Sequence, residues 1–264
     1  MRLIAVASAK SSPGASIAAE LIARLWPTPG RRVLVDGDPA GSAWALRPGV
    51  APNPGLVALA ATARRGLDPQ MILDHLQPVG GLDLLVGGAG ARQAGAALES
   101  LGPDLGPRLR DLAGAVDVVV ADCGRLGTGS SSVALCRAAH RVVLVCRPTA
   151  TEVIHVAPWL DDLGNAGCDL AVLLVDAGQE CPDSTYRPGE VDDALGVPVI
   201  GTLAHDPKRV ARLHRRPADP LAGDRSRLVR TAREAAVALA TLTGPEAAPR
   251  PEPRTLAATV RSHP

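Results

Sequence analysis

Short runs of apolar residues alternate along the chain with longer stretches rich in Ala, Leu and Arg, a pattern typical of strand–helix units around a mostly parallel sheet. Most of the short runs are apolar on both alternating faces, as strands covered by helices on both sides should be. Seven strands are predicted, at 2–8, 32–36, 82–86, 116–122, 141–147, 169–175 and 197–203. Helices are predicted at about 15–26, 55–65, 69–76, 92–100, 104–114, 130–139, 150–164, 188–195 and 223–243. We expect a single doubly wound α/β domain with a mostly parallel seven-stranded sheet and helices on both faces.

The end of the chain changes character at Gly244. Residues 244–254 read Gly-Pro-Glu-Ala-Ala-Pro-Arg-Pro-Glu-Pro-Arg, and this density of proline and charge cannot continue a helix. We therefore expect a domain over residues 1–243 and a Pro-rich disordered tail over residues 244–264. Residues 255–260 are too few and too weakly apolar for a membrane-surface helix, so direct membrane insertion is not expected.

Charge and cysteine usage narrow the class of protein. The 264 residues carry 28 Lys and Arg against 27 Asp and Glu, so total charge gives no attraction to nucleic acid or anionic lipid. No apolar run approaches the roughly 20 residues of a spanning helix, and the apolar N-terminal stretch is too short for a signal peptide, which favours a cytoplasmic location. The five cysteines form no CxxC pair, so we interpret them as small buried hydrophobes.

The turn after the first predicted strand carries the clearest chemical signal. Ligands of open α/β sheets bind beyond the carboxyl ends of the strands. A phosphate loop needs small residues, a helix N-terminus, a lysine for the phosphates and a hydroxyl for magnesium. Lys10, Gly14 and Ser16 provide these groups in the run 8–16, and Lys10 is one of only two lysines in the chain. Ala15 stands where a lysine usually precedes the hydroxyl residue.

Further motifs follow this loop in order. They are Val-Leu-Val-Asp-Gly-Asp-Pro-Ala-Gly-Ser at 33–42, Val-Val-Val-Ala-Asp-Cys-Gly at 118–124, Leu-Val-Cys-Arg-Pro-Thr at 144–149, Leu-Leu-Val-Asp at 173–176 and Gly-Val-Pro-Val-Ile-Gly-Thr-Leu-Ala-His-Asp at 196–206. Together with the loop, they make residues 2–240 resemble the MinD/ParA group of deviant Walker ATPases. The loop of that group looks like Gly-Lys-Gly-Gly-x-Gly-Lys-Thr-Thr, from which Ala9, Ser11, Ser12 and Ala15 depart.

The resemblance implies ATP and Mg²⁺ as cofactors and gives each matched residue a role. The phosphates would be held by Lys10, Ser11, Ser12, Pro13, Gly14, Ala15 and Ser16, and the metal by Ser16, Asp36 and Asp122. Asp38 would position the attacking water, and Lys10 matches the signature lysine that in this group reaches the phosphates of a second subunit. Asp176 stands where the group usually has the asparagine that reads adenine, and Asp206 lies in the turn near the base.

The function implied is that of a homodimeric ATP-binding switch that positions or assembles a larger structure such as a septum, a chromosome, or a pilus or secretion machine, with an unidentified protein partner. Ala15 removes a charge beside the β- and γ-phosphates, so weak or impaired hydrolysis is expected. The alternative is a pseudo-ATPase scaffold that binds partners without turnover.

Two other interpretations are disfavoured. Gly87-Gly88-Ala89-Gly90 lacks the third glycine of a dinucleotide fingerprint and does not follow the first strand, so we interpret it as a plain turn rather than part of a dehydrogenase. The basic residues of 208–233 would suit non-specific DNA binding, but the acidic residues among them favour a solvated helix face.

Overall fold

The computed structural model describes residues 1–10, 13–176 and 186–243. The strands are β1 (Arg2–Ser8), β2 (Arg32–Asp36), β3 (Gln77–Val79), β4 (Leu82–Leu85), β5 (Val118–Arg125), β6 (Arg141–Cys146), β7 (Leu170–Val175) and β8 (Val199–Leu203). The helices are α1 (Ala15–Arg24), α2 (Leu56–Thr62), α3 (Pro69–Asp74), α4 (Ala91–Leu101), α5 (Leu105–Arg110), α6 (Val133–Ala138), α7 (Ala150–Asn165), α8 (Pro188–Leu195), α9 (Pro207–Arg215) and α10 (Arg227–Leu242). The predicted tail, 244–264, lies outside the described residues.

The strands form one eight-stranded sheet in the order β3-β4-β2-β5-β1-β6-β7-β8. Every pairing is parallel except that of β3 with β4, so the mostly parallel α/β fold is confirmed. The prediction of seven strands is wrong, because β3 adds an eighth at the edge. This strand has three residues, one of which is Pro78, and such a short run carries no strand signal. An edge position tolerates proline because one side of the strand needs no hydrogen-bonding partner.

Helices cover both faces of this sheet. On one face α1, α9 and α10 pack on side chains such as Ile4 and Val120. On the other face α2 to α8 pack on side chains such as Leu3 and Val119. The central strands are therefore buried on both sides, which explains why their sequences are almost continuously apolar.

Some helix boundaries differ from the predicted ones. Helix α9 was not predicted, because its few apolar residues, such as Val210 and Leu213, stand among charged ones, although their spacing is that of one helix face. The last helix begins at Arg227 rather than at 223, because the side chain of Ser226 accepts a hydrogen bond from the N–H of Val229 and caps it. None of the helices in the described ranges combines the length and apolar character that crossing a bilayer requires.

The cysteines follow the prediction where the structure describes them. Four are buried, namely Cys123, Cys136, Cys146 and Cys168, and Cys181 lies outside the described residues.

Candidate functional site

Two aspartates meet at the carboxyl edge of the sheet because their strands are neighbours. Strands β2 and β5 are parallel, and Asp36 is the direct register partner of Asp122. Both side chains are almost fully buried, each residue keeping 2% of its exposure. Strand β5 continues to Arg125, so Asp122 lies inside the strand rather than at its predicted end. The sheet thus places two carboxyl groups side by side away from water.

Asp36 is held by groups that follow two different strands. Its Oδ2 accepts hydrogen bonds from the hydroxyl of Ser42 and from the N–H of Gly87 at 3.2 Å. A Cβ on Gly87 would lie 2.6 Å from the carbonyl oxygen of Asp36, so a side chain has no room there. Burial raises the pKa of Asp36, and the hydrogen bonds from Ser42 and Gly87 oppose this rise. The turn at Gly87, which the sequence predicted as a plain turn, therefore contributes to the site by holding Asp36.

Asp122 links the two strands to the first helix. Its Oδ1 accepts the N–H of Gly124 at 3.0 Å, and the hydroxyl of Ser16, on α1, also hydrogen-bonds to it. Burial raises the pKa of Asp122 to about 7, the charge of Asp36 adds to the rise, and the hydrogen bonds from Ser16 and Gly124 oppose it. The structure thus brings together Ser16, Asp36 and Asp122, which the sequence predicted as the metal-associated residues.

Asp38 lies at the mouth of this pair and is half-buried. Its Oδ1 accepts the N–H of Ala40 at 2.8 Å, which holds the turn after β2. Gly124 has a φ of +61°, and a Cβ there would collide with the carboxylate of Asp38. Burial raises the pKa of Asp38, while its hydrogen bond from Ala40 and the charge of Arg125 lower it. We call Asp36, Asp38 and Asp122 the carboxylate cluster.

The loop before α1 presents an open helix N-terminus. Gly14 is the N-cap residue, has a φ of +102°, and provides no side chain that could cap the helix. Apart from its chain neighbours, no atom of the described residues lies within 4 Å of the position that a Cβ on Gly14 would occupy. The first N–H groups of a helix capped in this way suit an anion. Pro13 before it is buried, whereas Ser11 and Ser12 lie outside the described residues.

Ala15, the first residue of α1, is 7% exposed and packs with the core on the α1 face of the sheet. The position at which a lysine is usual thus holds a small, buried and uncharged side chain. The cations that act on Asp36 and Asp38 are instead Arg47 and Arg125. Neither arginine was identified from the sequence, and no motif marks them.

Lys10 does not join the carboxylate cluster. Its Nζ lies 3.1 Å from Nε2 of His155, on the exposed side of α7. None of the shifts in the cluster's pKa values has Lys10 among its causes. The resemblance implied that Lys10 contacts phosphate, whereas in the structure its ammonium group contacts the imidazole of His155.

The two aspartates predicted near the base lie beyond β7 and β8. The N–H of Asp176 donates to the carbonyl of Leu203 at 2.8 Å, which ties the ends of the two strands together. The carboxylate of Asp206 accepts the N–H of Arg209 at 2.9 Å and caps α9. The carboxylate of Asp206 thus has a structural role, and the predicted contacts of both residues with a base stay predictions.

The donor set of the cluster fits Mg²⁺. This ion prefers oxygen ligands, keeps several waters and usually takes only one or two carboxylates together with substrate phosphates. Ser16, Asp36 and Asp122 offer oxygen atoms only, beside a helix N-terminus suited to phosphate. In the residues that the structure describes, no three His, Cys, Asp or Glu side chains form a metal site by themselves. A bound metal would therefore depend on a phosphate ligand as well.

The basic segment is partly neutralised. Three ion pairs join it to neighbouring acids: Arg209 with Asp224 at 2.6 Å, Arg212 with Asp219 at 3.2 Å, and Arg230 with Glu234 at 2.9 Å. The solvated helix face stays the favoured prediction for this segment, and non-specific DNA binding stays the less favoured alternative.

The whole backbone can be compared with solved structures. The cell division ATPase MinD of Pyrococcus furiosus superposes with a TM-score of 0.72 at 21% identity, over 91% of this chain and 99% of that chain. The chain has a MinD/ParA-like fold. The septum site-determining protein MinD of Pyrococcus horikoshii OT3, complexed with Mg-ADP, gives 0.71 at 18% identity, over 92% and 97% of the two chains. A ParA family ATPase of Chlorobium tepidum TLS gives 0.65 at 18% identity, over 89% and 97%.

The sequence itself matches no family model and no curated protein. The MinD/ParA-like fold is therefore visible in the backbone where overall sequence similarity has faded, and at these identities the likeness concerns the fold alone.

Proposed function

We propose that this chain binds ATP with Mg²⁺ at the carboxyl edge of β1, β2 and β5. The observation that carries the proposal is the position of Ser16, in the first turn of α1, beside the buried pair Asp36 and Asp122, because it places the open N-terminus of α1 next to these carboxyl groups. The solved MinD structure with Mg-ADP supports the choice of ligand.

Each side chain then has a physical task. The N–H groups at the start of α1 bind phosphate oxygens, and Gly14 leaves the space that a phosphate needs. Ser16 and Asp122 hold the metal, with Asp36 beside them. Bound Mg²⁺ would neutralise charge on the β- and γ-phosphates. Asp38, at the mouth of the cluster, orients the attacking water.

Ala15 sets the expected rate. Without a lysine at position 15, a charge that favours phosphate binding and stabilises the transition state is absent there. We infer slow hydrolysis, so that the bound state is long-lived and the protein acts as a switch rather than as a metabolic enzyme. The buried position of Ala15 also supports the second candidate, a pseudo-ATPase scaffold that binds partners without turnover.

The switch would act as a homodimer and would bind a protein partner during the positioning or assembly of a larger structure. One solved structure of similar fold is a MinC:MinD cell division protein complex from Aquifex aeolicus, which supports a protein partner of this kind. We assign residues 1–243 to the switch domain and 244–264 to a tail available to that partner, with the cytoplasm as the compartment.

Calorimetry with ATP and ADP, with and without Mg²⁺, tests the proposal while light scattering follows the mass of the protein. We expect Mg²⁺-dependent binding of ATP, accompanied by a doubling of mass. Ser16→Ala should weaken Mg²⁺-ATP binding at least about tenfold, because it removes the hydroxyl that joins α1 to Asp122. Ser130→Ala, which removes a hydroxyl in the turn after β5, is the matched control. No binding at millimolar nucleotide would refute the proposal.

A second variant separates the two candidates. Ala15→Lys restores the missing charge, and we expect it to raise the rate of ATP hydrolysis measured by phosphate release. If wild type binds ATP, and neither wild type nor this variant releases phosphate, the scaffold interpretation is favoured over the slow ATPase.

A further inference from the structure

The cation of the phosphate loop is held by a residue outside the loop. Lys10 follows β1 directly, and its Nζ lies 3.1 Å from Nε2 of His155, one and a half turns into α7. Both side chains are exposed, and within the described residues Lys10 forms no ion pair with an acid. His155 is therefore the group that fixes where this ammonium lies.

The hydrogen bonds of His155 define its chemical form. Its Nδ1 lies 2.6 Å from the carbonyl oxygen of Thr151, one turn earlier in α7. A carbonyl oxygen only accepts, so Nδ1 carries the proton and donates. An ammonium only donates, so Nε2 must carry a free lone pair and accept from Lys10. The two contacts together require the neutral Nδ1–H tautomer, and the helix carbonyl keeps the ring in the orientation that receives the lysine.

The order of the strands shows on which side of β1 the ammonium of Lys10 lies. Strand β1 lies between β5, which carries Asp122, and β6, which leads into α7. The carboxylate cluster lies on the β5 side, where the charge of Arg47 lowers the pKa of Asp36 and that of Arg125 lowers the pKa of Asp38. On the β6 side lies His155. The ammonium of Lys10 thus lies on the β6 side of β1, away from the cluster, although a positive charge is attracted to carboxylates.

We propose that His155 is a positioning residue that holds Lys10 on α7 until phosphate takes up the ammonium. The proposal rests on the proposed nucleotide site. Bound phosphate must compete with the imidazole for the N–H donors of Lys10, so part of the binding free energy is used to break this contact. Because a hydrogen bond between two exposed side chains is weak, we expect its removal to tighten nucleotide binding about two- to fivefold.

The contact itself can be observed without nucleotide. The chain has only two lysines, Lys10 and Lys208, so protein labelled with ¹⁵N-lysine gives two ammonium signals at most. We expect His155→Ala to move the Lys10 signal and leave that of Lys208 in place. In a second sample, labelled with ¹⁵N-histidine, we expect the ring ¹⁵N shifts of His155 to report the Nδ1–H tautomer. A Lys10 signal that is the same in wild type and variant overturns the proposal.

The consequence is tested by calorimetry with Mg²⁺-ATP. His155→Ala should tighten binding, and His155→Gln, which keeps an acceptor on a side chain of similar reach, should return the affinity toward that of wild type. In a Lys10→Ala background, His155→Ala should change nothing. His75→Ala is the matched control, because Nδ1 of His75 also contacts a carbonyl of its own helix, that of Met71 at 2.7 Å, and no lysine contact is described for it.

Failure of this proposal is distinguishable from failure of the nucleotide site. Wild type that binds Mg²⁺-ATP together with His155→Ala that binds equally well or more weakly overturns the role of His155 alone. Wild type that binds no nucleotide overturns both.

Discussion

Replacing Asp122 with asparagine should stabilise the protein at neutral and alkaline pH while removing its proposed function. The wild-type carboxyl group is buried beside Asp36, and burial raises its pKa from 3.8 to about 7. An asparagine of the same shape keeps an oxygen for the N–H of Gly124 and places an amide, rather than a second carboxyl group, next to Asp36. The substitution therefore replaces charge repulsion with a donor and an acceptor.

The magnitude follows from the difference in proton binding. The unfolded chain releases this proton near pH 4, whereas the folded chain keeps it until about pH 7, so the free energy of unfolding falls as pH rises through that window. Each pH unit inside the window corresponds to about 1.4 kcal/mol. From about pH 5 to about pH 8, this single group should cost wild type about 2–3 kcal/mol that the variant retains.

Urea unfolding followed by circular dichroism, in EDTA and without nucleotide, measures this difference. We expect the wild-type midpoint to fall between about pH 5 and about pH 8 relative to that of Asp122→Asn. Asp161→Asn, which changes an exposed carboxyl group on α7, serves as the control and should follow wild type. If Asp122→Asn also follows wild type at every pH, the burial argument for this carboxyl group is wrong.

Three further results are expected. Gly124→Ala should destabilise the fold by about 1–3 kcal/mol and slow any ATP hydrolysis, because its φ is +61° and the new methyl group displaces Asp38; urea unfolding and phosphate release measure the two effects. Glu20→Gln should cost about 3 kcal/mol in the same unfolding assay, because Glu20 is fully buried between two arginines, at 3.0 and 2.7 Å. Millimolar MgCl₂ with ATP should raise the thermal midpoint of wild type and not that of the variant at Asp122, and equal shifts in both would argue against the metal site.

The sequence predicted the site best where a residue lies at the carboxyl end of a strand. The resemblance to the MinD/ParA group implied that Ser16, Asp36 and Asp122 share one site, and the structure brings them together because parallel strands bring their carboxyl ends to one edge. The apolar runs likewise predicted the strands, because burial on both faces leaves a continuous signal. Strand β3 was missed because it has three residues and contains a proline, and helix α9 was missed because its few apolar residues stand among charged ones.

Contacts between distant segments could not be predicted in this way. Ser42 and Gly87 bond to Asp36 through loops whose paths depend on packing, and nothing in the sequence separates these residues from other small turn residues. The contact of Lys10 with His155 spans 145 positions between two exposed side chains. The motif alone indicated that Lys10 matters, and only the three-dimensional arrangement shows what the lysine contacts.

The absence of a lysine at position 15 and the raised pKa values of the carboxylate cluster are physically connected. A carboxyl group leaves water at little cost only when a cation or enough hydrogen bonds replace its hydration. Asp122 has two hydrogen bonds and a neighbouring carboxyl group, but no cation is among the causes that shift its pKa. Ala15 provides no charge there, and Lys10 contacts His155. Among the described residues, no cation therefore acts on Asp122, and a divalent cation arriving with phosphate would provide the missing positive charge. Binding of Mg²⁺ and nucleotide should accordingly be cooperative, each being weak without the other.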